Sequence, residues 1–281
     1  VSAFTRLGLK VSKSKSNAVA SSAALRRTVV IKTRSKALRP VRQAKLLGVG
    51  LAGGKKRTVK VQAKRIDAFA SKIRRIQAIR RQGVSAVQYV QAAGVPAMMY
   101  GVECSGIADT ALKHTVSLAA AAITPPARGK NARLSMHAAA PVCTSADPSY
   151  AAHVTPIKSW ATAYWEAWAD RKDMSKAYAE AADTLSKAKG TAWRHVSGPA
   201  TALVATCKRM GWSSDDGRKF CDDLGQEHDV ALDSPLAVAA AATRSVRRWC
   251  LMQTITELPS AAPPNAAARN VPVAGGPPSR T

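Results

Sequence analysis

The chain has 281 residues, enough to bury a real core, and its hydrophobic content of 46% is globular in kind although aromatic residues make up only 5%. Lys and Arg outnumber Asp and Glu by 43 to 17, and a net charge of +26 argues for a polyanionic partner while saying nothing about fold. No apolar run is long enough to span a bilayer and no signal peptide is visible; the five cysteines are scattered without a CxxC pair, which excludes a secreted disulfide framework and fits a reducing, intracellular compartment.

Asp67 is the only acid before Glu103, so the positive excess lies almost entirely in the first third. The chain opens on Val1 rather than Met and reads as an excerpt or an incomplete reading frame. In chain order, residues 1–50 read as short α+β structure. Leu7–Ser12 alternates weakly like a strand, Ser21-Ser22 caps a short helix through Arg27, and the β-branched run Val29-Val30-Ile31 reads as a second strand. Pro40 closes that region, and Lys45–Val49 reads as a third strand. A turn rich in glycine, Leu51-Ala52-Gly53-Gly54, precedes the best-defined element, a helix over Val59–Gln82. Its Ile66, Phe69, Ile73 and Ile76 form one apolar stripe at three- and four-residue steps. At 100° per residue Lys60, Lys64, Arg74, Arg75 and Arg81 fall opposite the stripe, Arg65 and Lys72 flank it, and Arg80 snorkels beside it. Gly83 is placed to end the helix.

Ser85–Ala93 reads as a second helix, ended by Gly94 with Pro96 beyond. Ala97–Tyr100 is short and apolar, and Asp109 is placed as the N-cap of a helix to about Ala122. The pattern fades over 127–148, which reads as a linker. Beyond it, Ile157, Trp160, Ala161, Tyr164, Trp165 and Trp168 share a helical face, continued by Met174, Tyr178, Ala181 and Leu185. Gly198-Pro199 and Ser234-Pro235 each start a helix, the first stopping at Gly211, and the tail from Pro259 has a disordered composition. The whole is mainly α: an α+β segment (1–50), a basic helical region (51–126), the linker (127–148), a Trp-rich helical region (149–258) and the tail (259–281).

Several chemistries fail on spacing. Gly48-Val49-Gly50-Leu51-Ala52-Gly53 matches GxGxxG formally, but Lys55-Lys56-Arg57 follows where a dinucleotide fold needs an apolar helix, and no βαβ rhythm surrounds it. Gly54-Lys55 is not a phosphate-binding P-loop, because Val49 stands where its first glycine belongs. Cys207, Cys221 and His228 lack zinc-finger spacing, as do His137, Cys143 and His153, and no serine or cysteine has a nucleophile motif. The Trp160–Trp168 stripe could stack bases, although aromatic residues at helical spacing favour a core. The basic helix differs from all of these, since an apolar stripe docks it and a cationic face remains for phosphates.

Three phrases occur in a meaningful order. Leu7-Gly8-Leu9-Lys10-Val11-Ser12-Lys13-Ser14-Lys15 resembles the palm segment after the catalytic hairpin of non-LTR retrotransposon reverse transcriptases. Lys45-Leu46-Leu47-Gly48-Val49 is similar to their Leu-Gly-Val primer-grip strand, and Met99-Tyr100-Gly101-Val102-Glu103 to their Leu-Tyr-Gly-Ala-Glu phrase beyond the thumb. The resemblance covers about the first 105 residues. It implies a palm remnant, then a thumb that holds a template–primer duplex by its backbone, with Lys15 in the place of the lysine near the incoming nucleotide and Leu47 and Gly48 in the primer grip. The expected nucleic-acid contacts are these three and Lys55, Lys56, Arg57, Lys60, Lys64, Arg65, Lys72, Arg74, Arg75 and Arg81. The partner is an RNA or DNA duplex read without base specificity; no membrane is involved, and the remaining palm and fingers would belong to a longer polyprotein.

The chain departs from the family in lacking its paired aspartates and upstream third: no acid precedes Asp67, and Asp215-Asp216 lies far beyond the thumb. No ribonuclease H carboxylate set follows, and Cys104 replaces the usual tryptophan after the third phrase. No cofactor is expected in this chain, Mg2+ entering only through a full-length polymerase, and a fragment or decayed copy that grips without polymerising is implied. The resemblance also implies a nuclear location. The competing reading is a free-standing basic protein that coats nucleic acid.

Overall fold

The computed structural model describes residues 12, 16–33, 38–46, 48–54, 57–127, 129–140 and 144–257. The molecule is mainly helical, with its few short strands gathered towards the N-terminal part and one further hairpin in the second half. Strand β1 (Asn17–Val19) pairs in parallel with β2 (Arg39–Val41), so Pro40 lies within a strand of a two-stranded pair, where a missing N–H is tolerated. Between them runs α1 (Ala23–Lys32), whose N-cap Ser22 accepts a hydrogen bond from the Leu25 N–H at 3.1 Å. The helix continues through Val29-Val30-Ile31, correcting the expected strand. Val29 and Ile31 are exposed, so nothing rewards their β preference, and a helix already capped carries them along.

The strand expected over Lys45–Val49 is a hairpin. Strand β3 (Gln43–Leu46) pairs antiparallel with β4 (Val49–Ala52) in the register Leu46↔Val49, leaving two residues for the turn. Gly48 supplies the left-handed backbone, φ 88°, that such a turn demands.

The long basic helix is two helices, α2 (Lys60–Ala70) and α3 (Ile73–Arg81). The break has a local cause. The Ser71 hydroxyl donates to the Ala68 carbonyl at 3.0 Å, and the Lys72 N–H turns back three residues to Phe69, tightening the turn. The apolar stripe survives it: Ile66, Phe69 and Ile76 are buried, and Ile73 packs on the same core. Gly83 ends α3 as expected, φ 83°.

Gly94 and Pro96 do not end the next helix. A short α4 (Ala86–Tyr89) widens into a π turn over Val90–Gly94, whose Val95 N–H reaches back to Val90, and runs on as α5 (Val95–Met99). The wider turn accommodates Pro96. Gly94 serves packing instead, because a Cβ there would lie 2.6 Å from the Phe69 ring. Helix α6 (Val102–Ser105) leads to α7 (Asp109–Ile123), whose N-cap is Ala108; Asp109 takes the first helical position and pairs with Arg209 at 3.1 Å.

The expected linker holds α8 (Ala132–Ala139), capped by Asn131, with Arg133 and Met136 buried. Of its two large apolar residues Leu134 is exposed and only Met136 is buried, and the buried guanidinium lies over Trp249, 4.9 Å from the ring centre, which no helical wheel shows. Asp147 caps α9 (Pro148–Trp165), the central helix, which packs on α5, α6 and α7 on one side and on α11 (Pro199–Met210) and α12 (Pro235–Glu257) on the other. Helix α10 (Arg171–Ser186) buries Met174, Tyr178, Ala181 and Leu185. Strands β5 (Lys219–Cys221) and β6 (Glu227–Asp229) form the second hairpin, with Phe220 in the core. Among the described residues no helix is long and apolar enough to cross a membrane.

Candidate nucleic-acid interface

Burial of one side of α2 and α3 decides what the other side presents. With Ile66, Phe69 and Ile76 turned into the core, Lys60, Lys64, Lys72, Arg74, Arg75 and Arg81 are all exposed. Asp67 is exposed on α2 and is the one acid these helices carry. Arg80 is half-buried beside the stripe, as its snorkelling position requires. Among the described residues every ion pair joins partners from Asp109 onward, and none engages a cation of α1, the first hairpin, α2 or α3. The charge excess of the sequence thus becomes a surface without carboxylate partners.

Three residues expected at the interface do other work. Arg57 donates from one guanidinium nitrogen to the carbonyls of Ser105 and, at 2.8 Å, Gly106, and its guanidinium lies 5.6 Å from the Trp193 ring centre. Burial lowers its pKa to about 10, so it remains a cation at neutral pH while tying the segment before α2 to the end of α6. Arg65 donates to the Tyr100 carbonyl at 2.9 Å and stacks 4.5 Å over the Tyr100 ring. Gly48 sits against this pair: a Cβ there would lie 2.8 Å from the Arg65 guanidinium and 3.0 Å from Tyr100. Next to it, Val49 meets Gly101. Gly48-Val49 and Tyr100-Gly101 are therefore packed together beside Arg65. Lys15, Leu47, Lys55 and Lys56 lie outside the described residues, as do most of Leu7–Ser12 and the tail from Pro259.

Other chemistry-bearing residues are structural. Cys207 is buried in the second core and burial pushes its thiol up to about 12, far from a reactive thiolate. Among the described residues no three His, Cys, Asp or Glu side chains gather as metal ligands. Asp216 accepts the backbone N–H groups of Arg218 and Lys219, so the Asp215-Asp216 pair belongs to a turn. The aromatic stripe divides: Trp160 and Tyr164 are buried, but Trp165, the last residue of α9, is 46% exposed, and Trp168, beyond the helix end, is 67% exposed.

Arg26 and Arg42, which belong to none of the sequence motifs, line a recess between α1 and the first hairpin that Arg57 also borders. The signal is the absence of any acid before Asp67, which leaves the cations of that segment without a local acidic partner. No protein-family model matches the chain, and no curated protein or solved structure matches it either.

Proposed function

We propose that this chain grips a nucleic-acid duplex by its phosphate backbone, in the manner of the thumb of a retrotransposon-type reverse transcriptase. The observation that carries the reading is the cationic outer side of α2 and α3, anchored by a buried stripe and, among the described residues, free of ion pairs to carboxylates. Such a surface binds by releasing counterions from the duplex, and cations on a docked helix meet phosphates with little ordering cost. The packing of Gly48-Val49 against Tyr100-Gly101 supports the resemblance, since two phrases about fifty residues apart share one contact. The grip has no base-reading arrangement, so the expected binding is independent of sequence.

Photo-crosslinking of the full chain to an RNA–DNA hybrid, followed by peptide mapping, tests the reading. Crosslinks should concentrate in peptides from residues 60–81. Crosslinks confined to α9–α12 would remove it.

A further inference from the structure

The cations of the N-terminal part form two surfaces of different shape. The outer side of α2 and α3 is a convex helical face, whereas Arg26 and Arg42 line a recess of about 610 Å³ between the start of α1 and the first hairpin, bordered also by Arg57, whose guanidinium is held by the Ser105 and Gly106 carbonyls. Ser21, Gln43 and the Gly53-Gly54 turn complete its wall, and no acid is present among its described lining residues. None can come from the rest of that segment, because Asp67 is the first acid of the sequence.

Each wall is braced on itself: the Arg26 side chain donates to the Ala20 carbonyl at 3.1 Å, and the Gly53 N–H donates to the Arg42 carbonyl at 3.0 Å. Gly53 is pressed so closely on Ala20 that a Cβ would lie 2.0 Å from its carbonyl oxygen. The hairpin and the segment before α1 thus meet through backbone at Gly53 and Ala20, and the Arg26 side chain is already ordered against Ala20. The first turn of α1 carries no acid and opens at Ala23 on the same recess, adding the positive end of a helix to the guanidinium groups of Arg26 and Arg42.

Concavity selects the ligand. The backbone of a continuous duplex passes over a convex face, but only a chain end or a small molecule enters a recess. A phosphate monoester carries up to a second negative charge near neutral pH and three free oxygens, which suit planar arginine donors. We propose that this recess binds a terminal phosphate group, presented either by the 5′ end of a nucleic acid or by a free phosphate compound. The proposal rests on the nucleic-acid reading only for the first of these sources.

The test offers the full chain one duplex in two forms, 5′-phosphorylated and 5′-hydroxyl, and titrates inorganic pyrophosphate in parallel by calorimetry. The wild type should bind the phosphorylated form on the order of tenfold more tightly. Arg42→Gln and Arg26→Gln/Arg42→Gln should erase that ratio while circular dichroism stays unchanged. A ratio taken within one variant cancels the general loss of charge. Lys60/Lys64/Arg74/Arg75→Ala should weaken both forms and keep the ratio, so failure of the convex interface and failure of the recess are read separately. If no duplex binds at all, the pyrophosphate arm still reports on the recess. Pyrophosphate binding that depends on Arg42, without preference for a phosphorylated end, supports the site and assigns it to a free phosphate compound. Absence of both signals, or signals that survive in both arginine variants, overturns the proposal.

Discussion

At the scale of the residue, the structure separates two kinds of cation that look alike in the chain. Lys64 stands in solvent, while Arg57 has lost most of its water and gained two carbonyls and an indole face. Replacing Arg57 with alanine should therefore cost about 1–3 kcal/mol of stability in urea unfolding, whereas Lys64→Ala should stay within about 0.5 kcal/mol and act on binding alone. Nothing in Lys55-Lys56-Arg57 distinguishes the third residue from its neighbours; the distinction comes from carbonyls about fifty positions away. A second buried group sets the response to acid. His153 is fully buried, its Nδ1 2.6 Å from the Ser149 carbonyl, and burial, with Arg209 and Arg133 near, pushes its pKa down from 6.5 to about 3. Below pH 6.5 the unfolded chain takes a proton that the folded chain refuses. The stability is therefore complete above that pH and falls as acid is added, by about 1.4 kcal/mol per pH unit at full slope. His153→Gln should flatten the stability profile between about pH 6 and 4.5 by one proton's worth, and an unchanged slope would contradict the assignment.

At the scale of the element, what could be read from the sequence followed periodicity. The stripe of Ile66, Phe69, Ile73 and Ile76, the run of Met174, Tyr178, Ala181 and Leu185, and the helix starts at Pro199 and Pro235 all recur in the fold because each is a local pattern facing one core. The elements that differ were decided by distant contacts or by local competition. Val29–Ile31 stayed helical without a sheet to join, Ser71 broke a helix through its own hydroxyl, and α8 exists because a buried arginine found Trp249 and Ser149. Gly94 is the clearest case, read as a stop and found as a contact. Gly94→Ala would press a methyl group 2.6 Å from the Phe69 ring, in a part of α2 whose other side carries the cations. The expected loss is about 1–3 kcal/mol, measured by thermal or urea unfolding. A neutral outcome would show that α2 can move away from the π turn without cost.

At the scale of the molecule, the two regions separated by composition are joined by α9 into one packed body, while their electrostatics remain distinct. The second half neutralises itself through pairs such as Arg218–Asp229 and Arg248–Asp223; the first half has cations and almost no acids. That asymmetry was legible in the sequence, and so was the apolar stripe that docks it, although the one helix expected there is two. The internal contacts of Arg57, Arg65 and Gly48 were not, because only the folded chain shows Arg57 on the Ser105 and Gly106 carbonyls and Arg65 and Gly48 against Tyr100. The most direct measurement is the affinity for a labelled RNA–DNA duplex across a series of salt concentrations, with the wild type and with Lys60/Lys64/Arg74/Arg75→Ala. The wild type should weaken steeply and linearly in the logarithm of salt, and the variant should bind more weakly with a slope shallower by roughly 3–4, one unit or slightly less for each phosphate contact removed. Equal affinities with the same slope would contradict the grip assigned to α2 and α3.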